Sequence, residues 1–369
     1  SRPGLCVGGE QKNVVAVVRG RDVFLSQHHG DLTWSLALER FRTTIQDLGR
    51  LFDVKPAWIA CDAHPGYLSR QHGHRLAEAW DVAVHEVQHH HAHLAALLAE
   101  HGRTDAVMGL VCDGVGYGAD GEAWGGEVLR GDLAGFERLG RLRPLRLPGG
   151  DAAAKESGRC AFSWLWDRFG EEALDHPAAR VALPDEALRR GVASMLQQSV
   201  NAPPSSGLGR LFDAAASLLG VCTRNHHEAM SGMRLESAAA RSTRRPAGDA
   251  VVDVADARPD LFEIDTRPLL DDLLLRIVRG DTVDDTAWWF HDAVADGLHR
   301  AASRAAAETG LGTVALSGGV FCNELLAERV ARRLERDGLE VLTHRLVPPN
   351  DGGLALGQAA VAAMREGVD

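Results

Sequence analysis

A chain of 369 residues with 45% hydrophobic content is long enough for two lobes that each bury a core beside a shared cleft. Its formal charge of −11 opposes the phosphate backbone of nucleic acid, and its arginines are scattered, so no nucleic-acid partner is expected. No apolar run of about twenty residues is present, which excludes a membrane partner of the helical kind from expectation. The six cysteines (Cys6, Cys61, Cys112, Cys160, Cys222 and Cys322) lie far apart without a CxxC pair. They read as buried thiols in a reducing compartment, and the cytoplasm is the expected location.

In chain order, short β-rich runs at Leu5–Gly9, Asn13–Val18 and Asp22–Ser26 predict three strands, and Leu32–Phe52 carries helical periodicity. Trp58–Cys61 then reads as a strand, Gly66–Trp80 as a helix, Val82–Val87 as a strand and His89–Glu100 as a helix. After this βββαβαβα unit the order restarts, with strands predicted at Val107–Cys112, Gly125–Leu129 and Phe136–Leu142. A mainly helical region from about Asp151 to Ala240 and an irregular Arg/Pro/Asp-rich stretch from Arg241 to Pro259 interrupt the second unit. Trp288–Glu308, Val314–Leu316, Asn323–Asp337, Leu339–Leu342 and Gly353–Met364 then supply αβαβα. The expected organisation is an N-terminal lobe over 1–104 and a C-terminal lobe over 105–369 with a helical insertion at about 151–260. Two such units in tandem resemble the duplicated α/β fold of actin-like ATPases and sugar kinases, with nucleotide between the lobes; fold alone does not assign an activity.

Chemistry attaches to this frame first at glycines, which let backbone approach an anion closely and point N–H groups at phosphate oxygens. Four stretches qualify: Gly8-Gly-Glu-Gln-Lys12-Asn13, Asp113-Gly-Val-Gly-Tyr-Gly118, Pro148-Gly-Gly-Asp151 and Leu316-Ser-Gly-Gly-Val-Phe-Cys-Asn323. Each by itself also fits a tight turn without a ligand. The run Val87-Gln-His-His-His-Ala-His93 is more specific. If the helix begins there, His89 and His93 share one face four residues apart, a bite that two imidazoles can close on one metal ion. A third donor is then needed, and Asp351 in Pro348-Pro-Asn-Asp-Gly-Gly353 is the candidate, although an acid there also fits a helix N-cap. His90 and His91 must point elsewhere. His85-Glu-Val-Gln-His89 also matches the H-E-x-x-H pattern of zinc peptidases, which needs all five residues in one helix. Alternation over Asp81–Val87 predicts a strand instead, and this argues against a peptidase.

Eight blocks in order carry a family resemblance: LSQHHGDL at 25–32, CDAHPGYLS at 61–69, VQHHHAH at 87–93, DGVGYGADGEAWGGE at 113–127, PGGDAA at 148–153, SSGLGRLFDAAASLLG at 205–220, ALSGGVFCNELL at 315–326 and PPNDGGLALGQAA at 348–360. The chain resembles the carbamoyltransferase domain at the C-terminus of HypF hydrogenase maturation proteins. It is more distantly similar to antibiotic O-carbamoyltransferases and to the transferase that makes threonylcarbamoyladenosine on tRNA. The resemblance implies that His89, His93 and Asp351 hold a divalent ion, iron or zinc. It implies that Gly149, Gly150, Asp151, Asp213, Gly318, Gly319 and Asn323 surround adenosine, and that Lys12 and the loop from Asp113 through Gly114 and Gly116 lie near phosphate. The implied reaction moves a carbamoyl group from carbamoyl-adenylate to an acceptor and releases AMP, with ATP as a related nucleotide ligand. Lys12, His89, His93 and Asp351 are the implied catalytic residues.

The implied acceptor is the C-terminal cysteine thiol of HypE, or alternatively a hydroxyl of a small-molecule natural product. HypF proteins also carry a YrdC-like domain that makes carbamoyl-adenylate, an implied partner here, and the opening Ser1-Arg2-Pro3 favours an excised domain. Where the family pattern has Tyr-Glu-Gly-(Gln/Glu), this chain reads His227-Glu-Ala-Met230. A sugar or acetate kinase of the same fold would need only ATP and Mg²⁺, and the histidines argue against it because Mg²⁺ prefers oxygen ligands.

Overall fold

The computed structural model describes residues 2–249 and 251–367. Its first unit comprises β1 (Gly4–Cys6), β2 (Ala16–Arg19), β3 (Asp22–Leu25), α1 (Ser35–Leu51), β4 (Trp58–Asp62), α2 (Leu68–Trp80), β5 (Ala83–Val87) and α3 (His89–Glu100). The second opens with β6 (Val107–Tyr117), β7 (Ala123–Gly131), β8 (Phe136–Leu142) and β9 (Leu145–Arg146). It continues through α4 (Asp151–Lys155), α5 (Ser157–Phe169), α6 (Pro177–Ala182), α7 (Glu186–Gln198), β10 (Pro204–Ser205), α8 (Leu208–Leu218) and α9 (Met230–Ala240). It closes with β11 (Asp253–Arg258), β12 (Leu261–Asp265), α10 (Arg267–Arg279), α11 (Val283–Thr309), β13 (Thr313–Ser317), α12 (Glu324–Arg336), β14 (Glu340–Thr343) and α13 (Leu354–Arg365).

The duplication is visible in the strand order. The first sheet runs β3-β2-β1-β4-β5, and the second contains β8-β7-β6-β13-β14. In both, the first two pairings are antiparallel and the next two parallel. This is the expected α/β fold of two like units.

Several elements differ from expectation. β1 stops at Cys6 because Gly8 turns to φ +67 and gives its N–H to the Gln358 side chain instead of a neighbouring strand. The stretch expected to be irregular contains β11, which with β12 extends the second sheet past β8. β11 is mostly exposed and rich in Asp, so it lacks the apolar alternation that marks a half-buried strand. The helix α10 was not anticipated, and α11 begins five residues before Trp288 because Thr282 caps it by accepting from Asp285 N–H. Five cysteines are buried as expected, but Cys322 is exposed on the turn after Gly318.

The two units trade helices. α3 follows the first sheet in sequence, yet its Leu94, Leu97 and Leu98 pack with Val107, Val111, Leu129 and Ala315 of the second sheet. α13 ends the second unit, yet its Ala355, Ala359 and Ala362 pack with Cys6, Ala16, Trp58 and Ala60 of the first. Ten of the twelve residues of α3 are buried, so this helix has no solvent face. Each fully buried leucine there contributes about 1.5–3 kcal/mol, which ties the histidine-bearing helix firmly to the second sheet. No described helix is long and apolar enough to cross a membrane.

Candidate functional site

The histidine run straddles a strand end and a helix start. β5 holds His85 and Glu86, and α3 begins at His89 with Gln88 as its cap, the Gln88 side chain accepting from His91 N–H at 2.8 Å. His85 and His89 therefore lie on different elements, which breaks the peptidase pattern. Within α3, His89 and His93 share a face with ring centroids 5.0 Å apart. His90 and His91 turn away: His91 Nε2–H donates to Asp132 C=O at 2.7 Å, and the His90 ring packs 5.7 Å from that of Trp124.

Two carboxylates close on the histidine pair. The ladder between β6 and β7 breaks after Cys112 and resumes at Gly116, and such an irregularity re-aims a side chain out of the sheet. Asp113 Oδ2 stands 3.4 Å from His89 Nε2 and 3.3 Å from His93 Nε2. Asp351 Oδ1 is 3.8 and 3.7 Å from the same two nitrogens. The capping role open to Asp351 falls to Asn350, whose side chain accepts from Gly352 N–H, so the Asp351 carboxylate remains free for the cleft. One ligand atom from each of His89, His93, Asp113 and Asp351 lies within 4.8 Å of all the others.

This donor set fits a divalent metal ion. Two imidazoles and two carboxylates bring about two negative charges, and His93 Nε2 is buried without a hydrogen bond of good geometry, an unmet atom that an ion would satisfy. Asp62, at the end of β4, supports the group: His89 Nδ1–H donates to Asp62 Oδ2 at 2.7 Å, which leaves the Nε2 lone pair facing the cluster. Burial alone would lower the His89 and His93 imidazoles, but Asp62 for His89 and Asp113 for His93 reverse this and raise both. Burial would raise Asp113, and the adjoining His89 and His93 imidazoles instead hold it well below the usual carboxylate range. The chain has two tyrosines, and both wall this cleft: Tyr67 stacks on His64 at 4.1 Å, and Tyr117 meets the same ring edge-on at 5.1 Å. Burial, then the nearby Asp62 and Asp351, push the Tyr67 phenol well above its ordinary value, so it stays protonated.

The remaining anticipated residues divide. Gly319 and Asp113 are neighbours, because a Cβ on Gly319 would sit 2.9 Å from Asp113 Oδ1. Gly318 (φ +98) presses against the Cys112 backbone, and Gly116 makes room for the rings of His89 and His90. These glycines are required by close packing around the cluster, whatever else they contact. Gly149 and Gly150 turn the chain into α4 at positive φ, but their N–H groups donate to Asn201 C=O and Leu147 C=O, and Asp151 is exposed. Asn225 joins this wall to Asp213, donating to Ala154 C=O and to Asp213 Oδ1. Asn323 is occupied locally: its carbonyl caps α12 at Leu326 N–H, and its amide donates to His291 Nε2. Lys12 forms an ion pair with Glu228, and Gly114 lies against the Arg210 guanidinium.

Sequence reasoning did not assign Asp62, Arg210 or Glu228, and it placed Asp113 with the phosphate loop instead of with the metal donors. A signal for Asp62 existed, since ligands gather at the carboxyl ends of parallel strands and Asp62 ends one. Asp62→Asn is expected to weaken metal binding by roughly 10- to 100-fold, as loss of outer hydrogen-bond support to a metal-bound histidine does. Chelator competition measures it, and an affinity equal to wild type would reduce Asp62 to a packing role.

The chain matches the sequence profile of the HypF Kae1-like domain over residues 1–100 and that of the second subdomain of the carbamoyltransferase Kae1-like domain over residues 109–358. It is 40% identical to carbamoyltransferase HypF2 of Cupriavidus necator over 98% of this chain and 46% of that protein, so it spans about half of that relative's length. It is also 40% identical to a carbamoyltransferase HypF homolog of the same organism, over 98% of this chain and 91% of that protein. The crystal structure of full-length HypF in its phosphate- and nucleotide-bound form superposes on 99% of this chain and 55% of that one, at a TM-score of 0.90 and 34% identity. With profiles and relatives matched along nearly all of its length, the chain belongs to the HypF family of carbamoyltransferases.

Proposed function

We propose that this chain transfers a carbamoyl group from carbamoyl-adenylate to the C-terminal cysteine thiol of a HypE-type acceptor, as a step in hydrogenase maturation in the cytoplasm. The observation that carries the reading is the buried cluster of His89, His93, Asp113 and Asp351 in a chain of this family. Those four residues would hold iron or zinc, which supplies Lewis-acid polarisation of a carbonyl or phosphate oxygen. Carbamoyl-adenylate is a mixed anhydride. The acceptor sulfur attacks its carbonyl carbon, the C–S bond forms, the C–O bond to phosphate breaks, AMP departs and the thiol proton passes to solvent.

The chain's own residues supply the rest. Asp62 keeps His89 in the tautomer that offers Nε2 to the cleft. Burial would lower the Lys12 ammonium, but Asp351, Glu228 and Asp113 hold it above its ordinary value, so it is a permanent positive charge for the phosphate. The stacked Tyr67 and His64 rings stand near Asp62 and Asp351 and would limit water, which would otherwise hydrolyse the anhydride. A YrdC-like domain is the proposed source of carbamoyl-adenylate.

The test is mass spectrometry after incubating the metal-loaded chain with carbamoyl-adenylate and a peptide ending in cysteine. One added carbamoyl on the peptide with equal release of AMP is the expected result. Carbamoylation of a small-molecule alcohol but not of the thiol would move the acceptor to the biosynthetic alternative, and ADP formed from ATP and Mg²⁺ alone would replace the reading with a kinase.

A further inference from the structure

Arg210 is the least satisfied charged group beside the cleft. It is the third residue of α8, is 8% exposed, and directs Nη2 to Asp213 Oδ2 at 3.0 Å. Its Nε and Nη1 are buried and donate to nothing. A buried donor left without an acceptor costs about 1–3 kcal/mol, so two on one guanidinium point to a missing acceptor and not to an ordinary helix ion pair. The guanidinium is built against the loop that carries Asp113. Gly207 and Gly209 let α8 approach so closely that a Cβ on either would meet Gly114 backbone at 2.0 or 2.8 Å, and a Cβ on Gly114 would lie 3.4 Å from Arg210 Nη2.

Across the same opening, Lys12 of the first unit pairs with Glu228 of the second, 216 positions away. Both ends of this bridge rest on left-handed backbone that is unfavourable for a residue with a side chain: Lys12 at φ +45 and Ala229, next to Glu228, at φ +58. The Glu228 side chain is half exposed, so water can receive it if it leaves, whereas Arg210 cannot leave. Glu228 is thus a water-accessible carboxylate within electrostatic reach of the fixed Arg210 cation.

We propose that Arg210 joins Lys12, already assigned to the phosphate above, in recognising the phosphoryl anion of the substrate, and that Glu228 acts as the internal counter-ion of Lys12 until the ligand displaces it. The inference rests on the adenylate reading above and adds to it a recognition residue and a competitor. A phosphate oxygen accepts from Arg210 through the planar pair Nε and Nη, a geometry that lysine cannot reproduce. Because Glu228 and the ligand carry the same sign, they repel each other at close range around Lys12, and the exposed carboxylate yields.

Calorimetric titration of the metal-loaded chain with AMP, with inorganic phosphate and with adenosine tests this. Glu228→Gln, at an exposed position that does not threaten folding, should bind AMP and phosphate about five- to tenfold more tightly, a gain near 1–1.4 kcal/mol. Arg210→Gln, checked for folding by its thermal transition, should bind AMP at least about tenfold more weakly, by loss of charge-assisted hydrogen bonds. Adenosine, which has no anion, should bind both variants as it binds wild type. If Glu228→Gln gains nothing for AMP, or gains equally for adenosine, the counter-ion proposal is wrong although the adenylate reading stands. Phosphate binding that responds to both substitutions in a chain indifferent to AMP would keep the subsite and remove the adenylate reading. Absence of binding by AMP and phosphate alike, in wild type and in Glu228→Gln, overturns both.

Discussion

His93→Ala is expected to lose the metal ion and, with it, turnover by several orders of magnitude. His93 Nε2 faces Asp113 Oδ2 at 3.3 Å and Asp351 Oδ1 at 3.7 Å without a hydrogen bond of good geometry, so removing the ring deletes a ligand and leaves a buried cavity beside His89. Three donors, two of them carboxylates, then remain around a position that had four. The same substitution at His91 supplies the contrast. Its ring donates to Asp132 C=O, away from the cluster, so His91→Ala should lower stability by a few kcal/mol through a lost buried hydrogen bond and a cavity while keeping the metal. Elemental analysis of protein purified without chelator, alongside AMP release from carbamoyl-adenylate, separates the two. A full equivalent of metal on His93→Ala would show that the cluster is not the binding site, and the carbamoyl-transfer reading would lose its electrophilic centre.

Gly357→Ala should be the most damaging single methyl in the chain. A Cβ at Gly357 of α13 would lie 1.8 Å from the carbonyl oxygen of Ala92 in α3, and because the obstacle is helix backbone, no rotamer relieves it. The helices must separate, at a cost of about 3 kcal/mol or more. The consequence reaches the site from both sides. α3 carries His89 and His93, while Gln358 of α13 grips Gly8 by accepting its N–H at 2.9 Å and donating to its C=O at 3.2 Å, which holds the loop that ends at Lys12. Thermal or denaturant unfolding measures the loss, and metal content should fall with it. Gly191 in α7 provides a control of opposite sign. Nothing lies within 4 Å of its added Cβ, so Gly191→Ala should stabilise the chain by about 0.5–1 kcal/mol. If Gly357→Ala unfolds no earlier than Gly191→Ala, the close seam between α3 and α13 is not present in solution.

The seam also shows why part of the site was hidden from a linear reading. His89 and His93 were legible because four-residue spacing on a helix puts two imidazoles on one face whatever surrounds the helix. Asp351 was legible as a donor through resemblance, and its competing role as a cap was settled only by Asn350, one residue earlier, which takes the Gly352 N–H. Asp113 had the right residue type but the wrong expected task. Whether a residue at the end of a strand follows the ladder or leaves it depends on the β7 register, and local pattern does not report that register. Arg210 and Glu228 each lay inside a stretch compared with the family pattern, but an arginine near a helix start and a glutamate in a polar loop are ordinary on any surface, so neither pointed to a role.

Sequence by itself determined the order of elements in both units outside the stretch that holds β11, β12 and α10, the repetition of the unit and the histidine face, because these follow from hydrophobic period and fixed spacing along a chain. Tertiary structure alone decided that α3 and α13 cross between the sheets, that Asp62 and Asp113 meet the histidines, and that Lys12 faces Glu228 across 216 positions. Those meetings depend on how two sheets and their helices close on one another. Contacts between residues hundreds of positions apart arise from packing and leave no periodicity for a linear reading to find.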